Sequence, residues 1–302
     1  MGRKVPYSKK MMDALRRGGF KQGNRGNLGY DIIREKGVKK IELYGTLTPK
    51  IFGENWQLAL KLIDRYVYPK SSRANIAGLR HYTLDGEEQK LPSVTTVLGQ
   101  TQPKEKQESL EPWRSRVGLR EAQKITRDAA IRGTAMHKYL EDLIRGERSL
   151  DLTPLGVEAP KMAEIIVERG LNDCSEIYGI EATLFYPGLY AGSVDLIAKY
   201  KDKVRIIDFK QTNKPKQREW IGDYFLQMAA YGMAHDAVYG TSIEQGVIMM
   251  CSKDGYYQQF VIEGEEFREA KHKFLGRLDE FYSSMDNKSD AVVSGSGWLW
   301  LH

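Results

Sequence analysis

The sequence predicts an α/β protein, because strand-like and helix-like segments alternate through its second half. Residues 180–209 contain three short runs rich in β-forming residues, separated by turn residues. Segments of helical periodicity lie on both sides, at residues 119–145 and 216–239. Residues 245–262 are typical of a further hairpin, and a helix is predicted to follow over residues 264–284.

Composition narrows the class of protein. The chain has 302 residues, 41% of them hydrophobic, which is enough for one large domain or two small ones. Its two cysteines, Cys174 and Cys251, are far apart, so a disulfide framework, a zinc knuckle and a four-cysteine iron–sulfur site are excluded. This cysteine usage is typical of a reduced, cytoplasmic compartment. No apolar run approaches the roughly 18–20 residues of a membrane span, so we expect no membrane association.

Positive charge is concentrated at the start of the chain. The first 50 residues carry a net charge of +9, whereas the whole chain carries +6, so the remainder sums to −3. We therefore divide the chain into a basic N-terminal arm (residues 1–50), a main domain (residues 51–285) and a tail (residues 286–302). The arm is expected to contain a short helix over residues 7–17 and a glycine-rich loop after it. It either follows a phosphate backbone or is a solvated extension; a mitochondrial targeting peptide is disfavoured because the arm is poorly amphipathic.

Two elements are predicted before the motifs begin. Residues 54–68 predict a helix, because apolar side chains from Trp56 to Ile63 recur at helical spacing and a proline follows. Residues 79–90 predict a β-hairpin with an Asp-Gly turn.

Hydroxyl and aromatic side chains in the next segment are candidates for nucleic-acid contacts. Ser93 and Thr95 stand at the start of an element, where their hydroxyl groups suit either a phosphate or an ordinary helix cap. Trp113 lies in a polar stretch beside arginines. It can stack on a base or belong to the core.

The long helix predicted over residues 119–145 contains a glycine and a histidine on one face. Gly133 and His137 are four residues apart, so a ligand or another backbone can approach beside His137. His137 is a candidate metal ligand on a rigid support, with Glu141 one turn later to orient it. The alternative is a histidine with a purely structural role.

Two acids and a lysine follow the predicted strands. Asp195 lies early in the second strand, and Asp208 and Lys210 lie at the end of the third on the same face. Two carboxylates at one end of a sheet can hold Mg²⁺ or Mn²⁺. A neighbouring lysine can hold an attacking water or stabilise charge on a phosphate. The alternative is a solvated ion pair at a strand edge.

The helix predicted after these strands carries polar groups at helical spacing. Gln227 and Tyr231 are four residues apart and share a face, which is either part of the site or an ordinary half-buried surface. Lys214, Lys216 and Arg218 precede this helix and can contact phosphates.

These positions occur in a recognisable order. In sequence they are Gly133-x-x-x-His137, Glu181, Gly192-x-x-Asp195, Asp208-x-Lys210 and Gln227-x-x-x-Tyr231. The order resembles the RecB-type branch of the PD-(D/E)XK nucleases, whose pattern is GxxxH, E, GxxD, DxK and QxxxY, over residues 91–285. Within that branch, the Pro-Ser-Val-Thr segment at Ser93 and the region of Trp113 are similar to the mitochondrial genome maintenance exonuclease group and its phage relatives.

The resemblance implies a fold and a catalytic centre. The fold is a restriction-endonuclease-like α/β core with a mixed central β-sheet flanked by helices, and we expect a mostly helical N-terminal part. His137, Asp195 and Asp208 would bind Mg²⁺ or Mn²⁺, together with the backbone carbonyl of Phe209. Lys210 would position or activate the water.

The resemblance also implies further roles. Glu181 matches the acid of the family's first strand and is counted among the catalytic candidates. Gln227 and Tyr231 would contact DNA and brace the site. Ser93 and Thr95 would contact a DNA phosphate, and Trp113 is the candidate for base stacking.

We therefore expect a metal-dependent DNA exonuclease that acts on single strands in DNA replication, recombination or repair. The alternatives are a structure-specific flap endonuclease and a single-strand-binding module with an inactive nuclease site. We expect a monomer in the cytoplasm of a bacterial or phage-infected cell rather than in a mitochondrion. The basic arm or the C-terminal tail is the expected contact for a replication or recombination protein.

Overall fold

A computed structural model describes residues 36–44, 57–108, 110–145 and 158–295 of the chain. The helix expected over residues 7–17 and the glycine-rich loop after it lie outside these ranges. So does the end of the C-terminal tail.

Strands and helices alternate through the described ranges. The strands are β1 (Lys36–Tyr44), β2 (Gln57–Asp64), β3 (Ser71–Ile76), β4 (Leu79–Leu84), β5 (Lys90–Pro92), β6 (Cys174–Tyr186), β7 (Tyr190–Tyr200), β8 (Lys203–Thr212), β9 (Gln245–Ser252) and β10 (Tyr257–Glu263). The helices are α1 (Val94–Gln100), α2 (Lys104–Glu108), α3 (Glu111–Val117), α4 (Leu119–Arg145), α5 (Glu158–Gly170), α6 (Gly222–Tyr239) and α7 (Gly264–Gly295). Short 3₁₀ turns at Leu171–Asp173 and Arg218–Ile221 precede β6 and α6.

Seven of these strands form one mixed sheet in the order β1-β2-β6-β7-β8-β9-β10. Strands β6, β7 and β8 form an antiparallel meander, and β9 and β10 form an antiparallel hairpin. The pairs β2–β6 and β8–β9 are parallel. A parallel pair needs a crossover, and α6 provides it between β8 and β9. Strands β3, β4 and β5 form a separate small sheet.

Helices cover both faces of the large sheet. On one face, α4 and α5 bury Met136, Leu140 and Ile166 against apolar side chains of β6 to β9. On the other face, α1, α6 and α7 form the larger cluster, with Met228 and Phe274 fully buried. Strand residues alternate between the two clusters, as the period of two in a β-strand requires. The structure confirms the predicted α/β class with a mixed central sheet flanked by helices.

Most of the elements predicted for the second half of the chain are present. Helix α4 has the predicted bounds, and the three runs within residues 180–209 are parts of β6, β7 and β8. The hairpin predicted over residues 79–90 is confirmed as β4 and β5, and the hairpin over residues 245–262 as β9 and β10. Helix α7 begins where it was predicted and continues to Gly295.

The prediction for the segment before the motifs was wrong. Residues 57–64 of the predicted helix form strand β2, and the described residues before α1 are strands and turns rather than a mostly helical part. Leu58, Leu60 and Leu62 alternate, so the segment also has the strand period, and β2 lies between β1 and β6, where both edges are paired. Part of the predicted basic arm is strand β1 of the large sheet. No helix in the described ranges is both long and apolar enough to cross a membrane.

Candidate active site

The candidate site lies where strands β7 and β8 separate. Their hydrogen-bonded pairing ends at Leu196 and Ile207, so the next residues along each strand, Asp195 and Asp208, lie beyond the ladder. The backbone N–H of Phe209 has no strand partner there and instead donates to Asp195 Oδ2 at 2.6 Å. A carboxylate thus replaces the missing ladder bond, which fixes the position of Asp195 in a buried environment.

Helix α4 places His137 over this point. Its Nδ1 atom lies 3.2 Å from Asp195 Oδ1, so Asp195 orients the ring. Glu141 was the residue expected to do this, but it pairs with Lys138 and Arg145 instead. The helix approaches the sheet closely at Gly133, where a Cβ atom would lie 3.2 Å from the Gln211 side chain.

Glu181 on β6 completes a group of three metal-ligand side chains. One ligand atom from each of His137, Glu181 and Asp195 lies within 4.8 Å of the others. Glu181 has a backbone φ of 48°, in the left-handed region that a glutamate rarely adopts. Its carboxylate accepts a hydrogen bond of 2.9 Å from the Ser193 hydroxyl group. Backbone strain of this kind is characteristic of functional sites.

Asp208 and Lys210 form a buried ion pair beside this group. The Lys210 ammonium is in close contact with Asp208 Oδ2, and the two side chains are 19% and 2% exposed. The same ammonium lies 5.1 Å from the centre of the Tyr224 ring. Asp208 was predicted to bind metal with His137, but it is not a member of the group within 4.8 Å. The structure brings Glu181 into that group.

Gln227 and Tyr231 on α6 support the pair from the other face of the sheet. Gln227 Nε2 lies 3.5 Å from Asp208 Oδ1 and donates to the Tyr231 hydroxyl group at 3.2 Å. A Cβ atom on Gly192 would lie 2.7 Å from the Tyr231 ring, so only glycine fits beneath this ring. Both α6 side chains are buried. This arrangement corresponds to the predicted bracing role, and a direct contact with DNA stays a prediction.

The charges of the site alter one another's pKa values. Burial opposes charge on Asp195, but His137 and Lys210 bring its pKa below the usual value. Burial likewise opposes charge on His137, but the carboxylate of Asp195 raises the pKa of the imidazole. Burial raises the pKa of Asp208 to about 6, even though Lys210 opposes the shift. Burial and the charge of Asp195 raise the pKa of Glu181. Clustered shifts of this kind are typical of catalytic centres.

Sequence reasoning missed Arg132, which holds the end of β8 against α4 and α5. Its side chain is buried, and it donates to Glu158 Oε2 at 2.6 Å and to Asn213 Oδ1 at 2.9 Å. A sequence signal existed, because Arg132 falls on the same stripe as Met136 and Leu140 at i+4 and i+8. An arginine on the apolar face of a helix needs buried acceptors.

The remaining predicted residues lie outside the immediate group. Ser93 is 2% exposed, and its hydroxyl group accepts from the Thr96 backbone N–H at 2.9 Å as the N-cap of α1. Thr95 is exposed beside it, and its hydroxyl group lies 3.0 Å from that of Ser93. Trp113 is half-buried on α3, a helix with no fully buried residue. Phe209 contributes its N–H to Asp195, and its role as a carbonyl ligand stays a prediction.

The donor set fits a hard divalent cation. It combines two carboxylates with one imidazole nitrogen on three different elements, within 4.8 Å of one another. Carboxylate oxygens are the ligands preferred by Mg²⁺ and Mn²⁺, and an imidazole is acceptable to transition metals. His137, Glu181 and Asp195 are therefore the residues that would hold a metal ion here.

Comparison with curated proteins finds relatives that share one name. Mitochondrial genome maintenance exonuclease 1 of Mus musculus is 31% identical over 210 residues, which cover 66% of this chain and 61% of the relative. The Xenopus tropicalis protein is 31% identical over 212 residues (66% and 59%), and the Homo sapiens protein is 29% identical over 210 residues (66% and 60%). The resemblance to the mitochondrial genome maintenance exonuclease group is confirmed.

The similarity to this exonuclease group is partial in extent. The chain spans about three-fifths of the length of the relatives it matches. Among solved structures, an alkaline exonuclease from Laribacter hongkongensis matches 51% of this chain and 85% of its own, with 15% sequence identity and a TM-score of 0.27. At that score the likeness supports no conclusion. No protein-family model matches the chain.

Proposed function

We propose that this protein is a metal-dependent DNA exonuclease that hydrolyses phosphodiester bonds in single-stranded DNA, during replication, recombination or repair. One observation carries the proposal. His137, Glu181 and Asp195 present metal-ligand atoms within 4.8 Å of one another, beside the buried Lys210–Asp208 pair. The similarity to proteins named as exonucleases supports the same reaction class.

The residues divide the chemistry between them. Phosphodiester hydrolysis develops negative charge on the phosphoryl oxygens, and a bound Mg²⁺ or Mn²⁺ would offset that charge and lower the pKa of a bound water. Asp195 holds His137 in position and is itself held by the N–H of Phe209. Lys210 supplies a fixed positive charge that can stabilise a phosphoryl oxygen or hold the attacking water.

Neighbouring side chains hold the positive charge of Lys210 in place. The Lys210 ammonium contacts Asp208 on one side and the Tyr224 ring on the other, so the lysine is restrained from two sides. Gln227 in turn contacts Asp208. A preorganised charge loses less free energy to reorientation during the reaction than a mobile one. This is why we assign Lys210, rather than an exposed lysine, to the chemical step.

Two features support a single strand as the substrate. Trp113 is half-buried on the surface helix α3, where its ring can stack on an unpaired base. Thr95 is exposed at the start of α1, where its hydroxyl group can contact a phosphate.

The decisive experiment uses a single-stranded oligonucleotide labelled at one end and, separately, at the other. Wild-type protein with Mg²⁺ is expected to shorten the strand, and Lys210→Ala is expected to leave it intact. A circular strand of the same sequence should resist wild-type protein, because an exonuclease needs a free end. Cleavage of the circle would instead favour the endonuclease alternative. Equal degradation by both proteins would show that the activity does not depend on this site.

The binding-module alternative predicts a different result. Neither wild type nor Lys210→Ala would cleave, and calorimetric Mn²⁺ titrations of wild type and Asp195→Asn would coincide. The complete set of His137, Glu181, Asp195 and Lys210 argues against such a decayed site.

A further inference from the structure

Two aromatic side chains are unusually exposed. Trp220 is 56% exposed and Tyr256 is 58% exposed, and no other aromatic residue among the described side chains is classed as exposed. Singly exposed apolar side chains are ordinary, but tryptophan and tyrosine rings exposed in the same region of a surface are candidates for a binding site. Neither residue has a part in the site described above.

Both aromatic residues lie at the same edge of the large sheet, meaning the edge formed by the C-terminal ends of β8 and β9. Strands β8 and β9 are parallel, and their last pair is Thr212 with Ser252. Trp220 lies in the 3₁₀ turn that follows β8, and Tyr256 lies in the turn that follows β9. A hydrogen bond of 3.1 Å from the Lys253 backbone N–H to the Thr212 carbonyl joins the two connections. The carboxyl edge of parallel strands is a common place for ligands.

The segment between β8 and Trp220 is fixed to the β9–β10 hairpin. Gln258 Oε1 accepts from the Lys216 backbone N–H at 2.7 Å, and Gln258 Nε2 donates to the Lys216 carbonyl at 2.8 Å. The Thr212 hydroxyl group donates to the Lys214 carbonyl at 2.7 Å. Tyr256 is two residues before Gln258. Lys214 and Lys216 are therefore held on the same edge as both rings.

The two lysines in this segment have no acidic partner among the described residues. Within the described part of the chain, neither Lys214 nor Lys216 forms an ion pair. Their neighbours differ, because Arg218 pairs with Glu266 at 2.5 Å and Lys253 pairs with Asp254 at 2.8 Å. The exposed acids beside the two rings are Glu219, next to Trp220, and Asp254, which Lys253 already pairs.

This surface adjoins the candidate active site. Lys210 precedes Thr212 by two residues on β8. Tyr224, four residues after Trp220, has its ring centre 5.1 Å from the Lys210 ammonium. The segment carrying the lysines and Trp220 therefore connects the strand that carries Lys210 to the helix whose Tyr224 ring lies against it.

We infer that Lys214, Lys216, Trp220 and Tyr256, here called the edge surface, bind an unpaired stretch of nucleic acid next to the catalytic centre. Two bases would stack on the exposed rings, and the lysines would contact the phosphates between them. Aromatic rings interleaved with basic side chains are the arrangement that binds single strands without sequence preference. A duplex cannot use the rings in this way, because its bases are already stacked. The inference rests on the proposed function and extends it to the substrate strand beyond the bond that is cut.

The test measures binding without cleavage. The 302-residue chain is titrated into a fluorescently labelled single-stranded oligonucleotide of about 20 nucleotides in EDTA, and anisotropy reports the Kd. Trp220→Ala and Tyr256→Ala are each expected to raise the Kd about ten-fold, because a stacked base contributes about 1–3 kcal/mol. Trp220→Phe keeps a flat ring and is expected to bind within about two-fold of wild type. Ile76→Ala removes an apolar side chain that is 37% exposed in another sheet, and it should bind like wild type.

The contribution of the two lysines is measured from the salt dependence of binding. For single strands, log K falls with log salt with a slope of about −0.7 for each phosphate contact. Lys214→Gln combined with Lys216→Gln should therefore make the slope shallower by about 1.4. Trp220→Ala should weaken binding with the slope unchanged, since stacking releases no counterions.

The outcomes separate this inference from the proposed function. If wild type shortens the strand with Mg²⁺ but both alanine variants bind it like wild type, the edge surface is wrong and the nuclease assignment stands. If the alanine variants bind weakly but wild type never cleaves, the surface stands and the nuclease assignment fails.

A blunt hairpin duplex of the same sequence should not distinguish Trp220→Ala from wild type. A loss on the duplex as large as on the single strand would overturn base stacking. Melting temperatures equal to that of wild type exclude misfolding as the cause of weak binding.

Discussion

The carboxylate of Asp195 accepts a hydrogen bond of 2.6 Å from the backbone N–H of Phe209, across the gap where β7 and β8 stop pairing. The same carboxylate lies 3.2 Å from His137 through its other oxygen. One side chain therefore has two tasks: it satisfies a backbone donor that the separating strands leave without a partner, and it carries the charge of the site. These two tasks can be separated by mutation.

Replacing Asp195 with Asn is expected to abolish metal binding while keeping the fold. The amide oxygen can still accept from Phe209, but the negative charge that faces His137 is lost. We expect Mn²⁺ affinity to fall at least about 100-fold, beyond the 10- to 100-fold typical of groups one step removed from a metal. Calorimetric Mn²⁺ titration gives the affinity, and thermal unfolding shows whether the fold is retained.

Asp195→Ala is the matched control for the structural task. It leaves the N–H of Phe209 buried without an acceptor, which costs about 1–3 kcal/mol. The alanine variant should therefore unfold at lower denaturant concentration than the asparagine variant. Equal stability of the two variants would show that the Phe209 contact does not support the fold.

Replacing Lys210 with Met is expected to remove catalysis and to destabilise the protein. Asp208 is 2% exposed, and without Lys210 its charge has no buried counterpart. Breaking a buried ion pair from one side typically costs about 3–5 kcal/mol. Chemical denaturation gives the free energy of unfolding, and the end-labelled strand assay gives the activity.

Adding Asp208→Asn to Lys210→Met should recover most of this stability, because the uncompensated charge is removed. Activity should stay absent in the double variant. If the double variant is no more stable than Lys210→Met alone, the buried charge is not the source of the instability.

Gly192→Ala is expected to destabilise the protein and to disturb the site. The new Cβ atom would lie 2.7 Å from the Tyr231 ring, which is buried, so the ring or the strand must shift. Overpacking of this kind costs about 1–3 kcal/mol. Since Tyr231 also holds Gln227 next to Asp208, nuclease activity should fall more than stability alone explains.

Gly276→Ala provides the opposite control. Gly276 lies within α7, and a Cβ atom there would have no neighbour within 4 Å. Alanine in a helix is favoured over glycine by about 1 kcal/mol, so this variant should be slightly more stable than wild type and fully active. Thermal unfolding gives the melting temperature of each glycine variant. A shift of both melting temperatures in the same direction would contradict our account.

His235 is expected to make the protein lose stability at acidic pH. The ring is fully buried among tyrosines, and burial lowers its pKa to about 3 from the usual value of 6.5. Between these pH values the unfolded chain binds a proton that the folded protein does not, so stability falls as pH falls. Its contribution is complete above pH 6.5 and declines toward pH 3. At pH 5 the loss amounts to about 2 kcal/mol.

His235→Gln should flatten this part of the pH profile. Glutamine can replace one of the two polar contacts of the ring, to Tyr68 at 3.2 Å or to Thr241 at 2.7 Å, so some stability is lost at every pH. The distinguishing measurement is the slope of unfolding free energy against pH between 4 and 6.5. An unchanged slope would show that the ring is not protonated on unfolding.

The sequence by itself determined those helices and strands whose hydrophobic pattern matches only one type of secondary structure. Helix α4 was predicted with its observed bounds, because 27 residues without proline sustain the helical repeat. The runs around Asp195 and Asp208 were predicted as strands because they are short, rich in β-forming residues and bounded by turn residues. Residues 54–68 were wrongly predicted as a helix because their apolar side chains fit both the helical repeat and the alternation of a strand. The pairing of β2 with β1 and β6 makes the segment a strand.

The order of motif residues determined the resemblance to an exonuclease group, but only the tertiary structure decided which side chains meet. The resemblance implied Asp208 as a metal ligand together with His137 and Asp195. The fold groups Glu181 with His137 and Asp195 and pairs Asp208 with Lys210, and a metal role for Asp208 stays a prediction. The physical reason is the end of the β7–β8 ladder. The point where two strands stop pairing depends on long-range contacts, and it decides which carboxylate faces α4 and which faces α6.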